Sequence, residues 1–142
     1  MQSEPEEQGP LRGMRILIVE DEILIALNLE DILCTAGAIV AGLCGSIPAA
    51  TTVAEKDALS AAVLDVRLGR ETTEHVAELL AGRGIPFLFY SGQHLSDHLR
   101  AKFPDAPFLI KPVEPHTFVD AVAKLARRSD PVVVASARRR DQ

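Results

Sequence analysis

The chain has no tryptophan, only two cysteines and only 4% aromatic residues among its 142 amino acids. Cys34 and Cys44 have the spacing of neither a zinc ligand set nor a redox pair. No apolar run approaches the roughly 20 residues that a membrane-spanning helix needs. Residues 1–13 are acidic and polar, without the basic-then-apolar pattern of a secretory signal. We therefore expect a cytoplasmic protein with no membrane span.

Basic residues are fewer than acidic ones, 15 against 20. The formal net charge is −5, and the one basic cluster, Arg138 to Arg140, lies in a C-terminal segment that we interpret as a solvated end. Because a phosphate backbone requires a basic protein face, we expect no nucleic-acid partner. Apolar residues make up 47% of the chain and charged residues 25%, which is typical of one soluble globular domain.

Short apolar runs alternate with helical patterns along the chain. This alternation predicts a three-layer α/β sandwich, in which a parallel sheet is covered by helices on both faces. The predicted strands are 14–19, 38–43, 61–64, 86–91 and 108–110. The predicted helices are 22–35, 46–57 (where Ser46 is a candidate cap), 72 or 73 to 82 (where Thr72 or Thr73 is the cap), 95–103 and 115–128.

A polar residue stands at the end of most of these runs. Glu20 and Asp21 follow the first, Asp65 the third and Lys111 the last, while the fourth ends at Ser91. Since the chemistry of such sheets lies beyond the carboxyl ends of the strands, these side chains should meet in one pocket. Three carboxylates repel one another, and one lysine does not neutralise them. The pattern therefore predicts a phosphate-and-metal site with a divalent cation such as Mg²⁺.

Residues 14–128 resemble the receiver domains of two-component response regulators. The motifs are Val19-Glu20-Asp21-Glu22, Leu64-Asp65-Val66-Arg67, Ser91-Gly92 and Lys111-Pro112-Val113, in the order of that family. The resemblance implies a flavodoxin-like, doubly wound five-stranded sheet with strand order 2-1-3-4-5. Residues 1–13 would form a disordered N-terminal tail, and residues 129–142 a C-terminal tail without an output domain.

The resemblance also implies roles for the pocket residues. Asp65 would accept a phosphoryl group from a phosphohistidine, and Lys111 and Ser91 would stabilise the transferring group. A Mg²⁺ or Mn²⁺ ion would be held by Asp21, Asp65 and the main-chain carbonyl of Arg67, with Glu20 acting mainly through water. The Lys111–Pro112 peptide bond is expected to be cis.

Four residues would connect the chemistry to signalling. Ser91 and Phe108 match the family's switch pair, although Phe108 can equally be read as ordinary core. Arg67 and Gln93 stand two residues beyond Asp65 and Ser91, where the family tunes the lifetime of the phosphoryl group. The long Arg67 side chain could shield the site, hold an incoming anion or be plain surface.

The sequence thus predicts a signalling phosphoacceptor rather than an enzyme. Its partners would be a histidine kinase or histidine phosphotransfer protein and an unidentified downstream protein. It would be a monomer or a phosphorylation-dependent dimer. One alternative is a phosphatase or phosphotransferase of haloacid-dehalogenase type, but such enzymes usually carry a second Asp where this chain has Arg67. The other is a degenerate receiver that only binds protein, against which the complete acid set and Lys111 argue.

Overall fold

The computed structural model describes residues 9–127 and contains seven strands in that range. They are β1 (Arg15–Val19), β2 (Ile39–Cys44), β3 (Ala61–Leu64), β4 (Arg67–Leu68), β5 (Glu71–Thr72), β6 (Phe87–Ser91) and β7 (Phe108–Ile110). Five of them form a parallel sheet in the order β2-β1-β3-β6-β7, and β4 and β5 form a separate antiparallel hairpin. With the hairpin left out, this is the order 2-1-3-4-5. The predicted flavodoxin-like fold is confirmed.

Five helices connect the strands. They are α1 (Ile23–Thr35), α2 (Ile47–Lys56), α3 (Glu74–Gly82), α4 (Asp97–Lys102) and α5 (Pro115–Arg127). Ser46 caps α2 as expected, since its hydroxyl accepts from the Ala49 N–H at 3.3 Å. The helix predicted over 95–103 is shorter, because Ser96 caps α4 through the Leu99 N–H at 3.2 Å. Arg128 and the C-terminal tail lie outside the described residues.

Two hydrophobic cores lie on opposite faces of the sheet. Alternate residues of β1 point to opposite sides, so that Leu17 and Val19 pack with α2, α3 and α4, while Ile16 and Ile18 pack with α1 and α5. Every residue of β3 is buried, as expected for a central strand covered on both faces. None of the described helices is long and apolar enough to cross a bilayer.

A glycine allows close packing where α2 lies against β2. A Cβ at Gly42 would lie 3.2 Å from side-chain atoms of both Leu17 and Val53, closer than ordinary packing distance. The absence of a side chain at Gly42 lets Leu17 of β1 and Val53 of α2 approach over the edge of the sheet. The β1–β2 register also shifts between Ile16 and Leu17, beside this position.

The folded unit begins earlier than the sequence predicted. We expected a disordered tail through Gly13, but Leu11 is fully buried in the core beside α1 and α5. Its N–H donates to the Ala36 carbonyl at 2.8 Å, which fixes this segment to the end of α1. The apolar side chain of Leu11 accounts for the difference. Residues 1–8 lie outside the described residues.

Candidate functional site

The carboxyl ends of four parallel strands bring the predicted pocket together. Neighbouring strand ends are joined by main-chain hydrogen bonds, from Asp65 N–H to the Val19 carbonyl at 2.9 Å and from Lys111 N–H to the Ser91 carbonyl at 2.8 Å. Residues that are 91 positions apart, such as Glu20 and Lys111, therefore meet at one edge of the sheet. The Lys111–Pro112 peptide bond is cis, as predicted.

Lys111 lies between two carboxylates. Its Nζ is 2.7 Å from Glu20 Oε1 and 3.0 Å from Asp65 Oδ2. The same ammonium lies 5.5 Å from the centroid of the Tyr90 ring, within range of a cation–π contact. The side chain of Lys111 is 15% exposed, that of Asp65 11% and that of Glu20 1%. Asp65 therefore keeps some access to solvent, whereas Glu20 is covered.

Burial shifts the protonation of this group. It raises the pKa of Glu20 above 4.5, and the nearby charge of Asp65 adds to the effect, although the hydrogen bond from Lys111 opposes it. Burial by itself lowers the pKa of Lys111, but its hydrogen bonds to Glu20 and Asp65 outweigh that effect and the pKa is raised. The lysine is therefore a fixed cation at neutral pH.

The acid pocket fits a divalent cation. Carboxylate oxygens of Glu20, Asp21 and Asp65 all lie within 4.8 Å of one another, and Lys111 contacts only two of the three. Carboxylate oxygen is the donor that Mg²⁺ prefers, and the excess of negative charge favours a second cation. Asp21 is exposed, so an ion has a route to it.

The other predicted residues differ in their burial and in the contacts that they make. The Ser91 hydroxyl is buried at the pocket and accepts from the Gln93 N–H at 3.3 Å. Arg67 is exposed, and its main-chain N–H donates to Asp65 Oδ1 at 3.4 Å. Phe108 is half-buried and pairs in register with Phe89, two residues before the strand end at which Ser91 pairs with Ile110. It packs against the core.

Sequence reasoning missed three residues of the site. Thr72 or Thr73 was expected to cap the helix. The buried Thr73 hydroxyl instead donates to the Asp65 carbonyl at 2.6 Å and makes no capping bond, whereas the Thr72 hydroxyl accepts from the Glu74 N–H at 3.5 Å. Gly69, in the turn of the β4–β5 hairpin, donates its N–H to Asp21 Oδ2 at 3.0 Å. Tyr90 supplies the ring beside Lys111. Gly69 within Leu68-Gly69-Arg70 was the available signal for a turn, since glycine adopts positive φ without strain.

A separate groove shares no residue with the acid pocket. This groove of about 720 Å³ opens at the opposite edge of the sheet, between the start of β6 and the end of α4. Phe87, Phe103 and Pro104 are among the residues that line it.

No protein-family profile and no curated protein matches the sequence. Among solved structures, the chain is 38% identical to SdrG from Sphingomonas melonis, with 82% of this chain and 95% of SdrG covered and a TM-score of 0.66. It is 26% identical to the non-phosphorylated HemR receiver domain from Leptospira biflexa, with 80% and 94% covered and a TM-score of 0.69. It is 25% identical to a response regulator receiver protein from Sinorhizobium medicae, with 84% and 99% covered and a TM-score of 0.73. The fold, the acid pocket at the strand ends and these similarities together show that the chain belongs to the response regulator receiver domain family.

Proposed function

We propose that this receiver domain accepts a phosphoryl group on Asp65 from the phosphohistidine of a histidine kinase or phosphotransfer protein. The observation that carries the proposal is the position of the Asp65 carboxylate, which lies 3.0 Å from Lys111 Nζ and beside two further acids, yet keeps 11% exposure. A nucleophile needs such access, and a transferring phosphoryl group needs a cation beside it.

The proposed transfer forms one bond to phosphorus and breaks another. A carboxylate oxygen of Asp65 attacks phosphorus while the bond from phosphorus to the imidazole nitrogen of the donor breaks. The electron pair of that bond returns to the imidazole, which takes a proton from solvent. Lys111 holds positive charge beside the phosphoryl oxygens, and its contact with Glu20 keeps the ammonium in place.

Glu20, Asp21 and Asp65, with the main-chain carbonyl of Arg67, would hold a Mg²⁺ or Mn²⁺ ion. When bound, the ion supplies positive charge that offsets the charge of the phosphoryl oxygens. Receiver domains are signalling modules rather than classical enzymes. We therefore assign the chain no turnover beyond its own phosphorylation and dephosphorylation.

Ser91 and Phe108 are the proposed switch pair, and Arg67 and Gln93 the residues that tune phosphoryl lifetime. Phosphorylation adds nearly two negative charges and new acceptor oxygens close to the Ser91 hydroxyl. That hydroxyl now accepts from the Gln93 N–H, and it would instead donate to the phosphoryl group. The movement would be passed to a downstream partner through a protein contact or through dimerisation. Residues 14–128 would form the signalling domain, extended by the packing of Leu11, and would work in the cytoplasm.

The test is phosphoryl transfer to Asp65. The protein is incubated with Mg²⁺ and a small acyl-phosphate or phosphoramidate donor, and intact mass is measured. We expect the addition of one phosphoryl group that is lost at alkaline pH, as an acyl phosphate is. Asp65→Asn should fold and accept nothing. Asp120→Asn, on the exposed face of α5, is the matched control and should accept the group normally.

Two outcomes would contradict the proposal. Uptake by Asp65→Asn at the wild-type rate would remove Asp65 from the mechanism. Failure of the wild-type protein with small donors and with a phosphorylated kinase would favour a receiver that only binds protein.

A further inference from the structure

The three acids of the pocket are not compensated equally. Lys111 forms ion pairs with Glu20 and Asp65. The contact that the structure gives the Asp21 carboxylate is a different one, the hydrogen bond to its Oδ2 from the main-chain N–H of Gly69 at 3.0 Å. Asp21 is thus held by a backbone group that is 48 residues away in sequence.

Gly69 lies at the turn of the β4–β5 hairpin. Arg67 pairs with Thr72 and Leu68 with Glu71, and the chain reverses at Gly69 with a φ of +62°. This left-handed conformation is one that glycine adopts without strain. A Cβ at Gly69 would meet nothing within 4 Å, so the backbone angle and not crowding restricts this position.

The hairpin is anchored to Asp65 at both ends. At its start the Arg67 N–H donates to Asp65 Oδ1 at 3.4 Å, and after its end the Thr73 hydroxyl donates to the Asp65 carbonyl at 2.6 Å. Leu68 is buried in the core and fixes the hairpin from below. One short element therefore contacts two of the three acids, and its turn reaches across to Asp21.

We propose that the β4–β5 hairpin is a positioning element for the cation site, and that Gly69 orients Asp21 through its N–H. This inference rests on the proposed function, because it concerns the cation of that site. A carboxylate has lone pairs for both a hydrogen bond and a cation, so the N–H can fix one oxygen while the other remains available. Hydrogen bonds to ligating carboxylates typically change metal affinity by 10–100-fold.

Coupling of this kind is reciprocal. If the hydrogen bond from Gly69 to Asp21 strengthens cation binding, a bound cation must strengthen that hydrogen bond by the same factor. In the wild-type protein, amide exchange of residues 67–72 should therefore slow when Mg²⁺ is added. The amide of Gly69 should show the largest change, because its hydrogen bond closes the hairpin onto Asp21.

The test compares substitutions at Gly69 that either remove or keep its backbone N–H. Gly69→Pro removes the N–H and demands a φ near −65°, so Mg²⁺ affinity should fall about tenfold. Gly69→Asn keeps the N–H and tolerates positive φ, so it should retain most of the affinity. Gly84→Pro is the matched control: Gly84 has a φ of +73° and lies between α3 and β6, at the other end of the sheet. It should leave Mg²⁺ affinity unchanged even where it lowers stability.

The outcomes separate this inference from the proposed function. Equal Mg²⁺ affinity in the wild type and Gly69→Pro would overturn the positioning role and leave phosphorylation of Asp65 intact. Unchanged amide exchange at Gly69 in the Mg²⁺-saturated wild type would overturn it too, without any variant that has to fold. A wild-type protein that binds no Mg²⁺ would overturn both the positioning role and the cation site.

Discussion

Two clusters in this molecule share one arrangement, a lysine between two carboxylates and beside an aromatic ring. The pocket cluster consists of Lys111, Glu20 and Asp65, with Tyr90. The helix cluster consists of Lys102 of α4 with Glu74 and Glu78 of α3, and Lys102 lies 5.8 Å from the centroid of the Phe103 ring. They differ in burial, because the Lys102 side chain is 34% exposed and that of Lys111 is 15% exposed.

This difference in burial reverses the direction of the pKa shift for one acid of the pocket cluster, Glu20. In the helix cluster the hydrogen bonds from Lys102 lower the pKa of both Glu74 and Glu78, since little is lost by keeping them charged in contact with water. In the pocket cluster burial outweighs a similar hydrogen bond, and the pKa of Glu20 is raised. The hydrogen bond from lysine is therefore enough to stabilise the charged acids at the surface. In the pocket the same bond leaves Glu20 in need of further positive charge to stabilise its carboxylate.

The comparison explains why only one cluster is a candidate site. In a surface ion pair, solvent already stabilises the separate charges and screens their attraction, so the pair contributes little to stability. A partly buried cluster with more acids than cations is strongly stabilised when a further cation binds. This stabilisation contributes to the affinity of the cluster for the cation. The helix cluster joins α3 to α4, whereas the pocket cluster, together with Asp21, has the chemistry to hold an ion and a phosphoryl group.

The largest expected difference between the clusters follows from removing each lysine. Lys111→Met and Lys102→Met both keep the alkyl chain and delete the charge. Lys111→Met leaves the buried Glu20 carboxylate without its cation, so the unfolding free energy at neutral pH should fall by about 3 kcal/mol. Lys102→Met should leave the urea midpoint nearly unchanged, because its partners are hydrated. Urea unfolding of both variants measures the difference.

The same pair distinguishes function from stability. Lys111→Met should also fail to respond to phosphorylation, while Lys102→Met should accept the phosphoryl group as the wild type does. Equal destabilisation in the two variants would show that burial does not separate the clusters as we infer.

A smaller effect is expected from the cation itself. Mg²⁺ at ten times its Kd should stabilise the wild type by about 1.4 kcal/mol, because only the folded state has the site. Asp21→Asn keeps an oxygen that can accept from Gly69 but removes a charge. If affinity falls tenfold, the gain at the same concentration drops to about 0.4 kcal/mol. Thermal unfolding with and without Mg²⁺ gives both values.

The helix cluster supplies the control for this experiment. Glu78→Gln also removes one exposed acid, but away from the strand ends, so the Mg²⁺ effect should equal that of the wild type. Without Mg²⁺, Asp21→Asn should be no less stable than the wild type, since it relieves repulsion within the pocket. A Mg²⁺ effect lost equally in both variants would mean that the ion acts through general surface charge.

The fold and the convergence of the acids followed from the sequence for an identifiable physical reason. Parallel strands buried on both faces read as continuous apolar runs, and their carboxyl ends lie at one edge whatever the details of the loops. Asp65 and Lys111 were therefore placed correctly from their position after such runs. The bounds of β3 and β7 also agree with the prediction.

The details that escaped prediction depend on contacts distant in sequence. The hydroxyl of Thr73 could satisfy either a helix end or the Asp65 carbonyl, and the folded geometry selects the carbonyl. Leu11 follows an acidic stretch with two prolines and a glycine, and it is buried by packing with residues of α1 and α5. The hairpin of two-residue strands is too short for any periodicity. In each case tertiary packing overrides a weak local pattern.

The smallest expected effect is the pH dependence of the helix cluster. A carboxylate whose folded pKa is lowered adds stability above its unfolded pKa, here about 4.5, and this is lost as pH falls through the lowered value. The stability difference between the wild type and Lys102→Met should therefore be constant from neutral pH down to about 4.5 and should be lost progressively as the pH falls from there through the lowered pKa. It should also shrink at about 1 M salt, where the screening length is about 3 Å. Because His98 also lies 2.9 Å from Glu74, the pair is measured again with His98→Gln in both proteins. A difference that persists at acid pH in both backgrounds would show that the Lys102 ammonium stabilises α4 through its contact with the Phe103 ring and not through the two carboxylates.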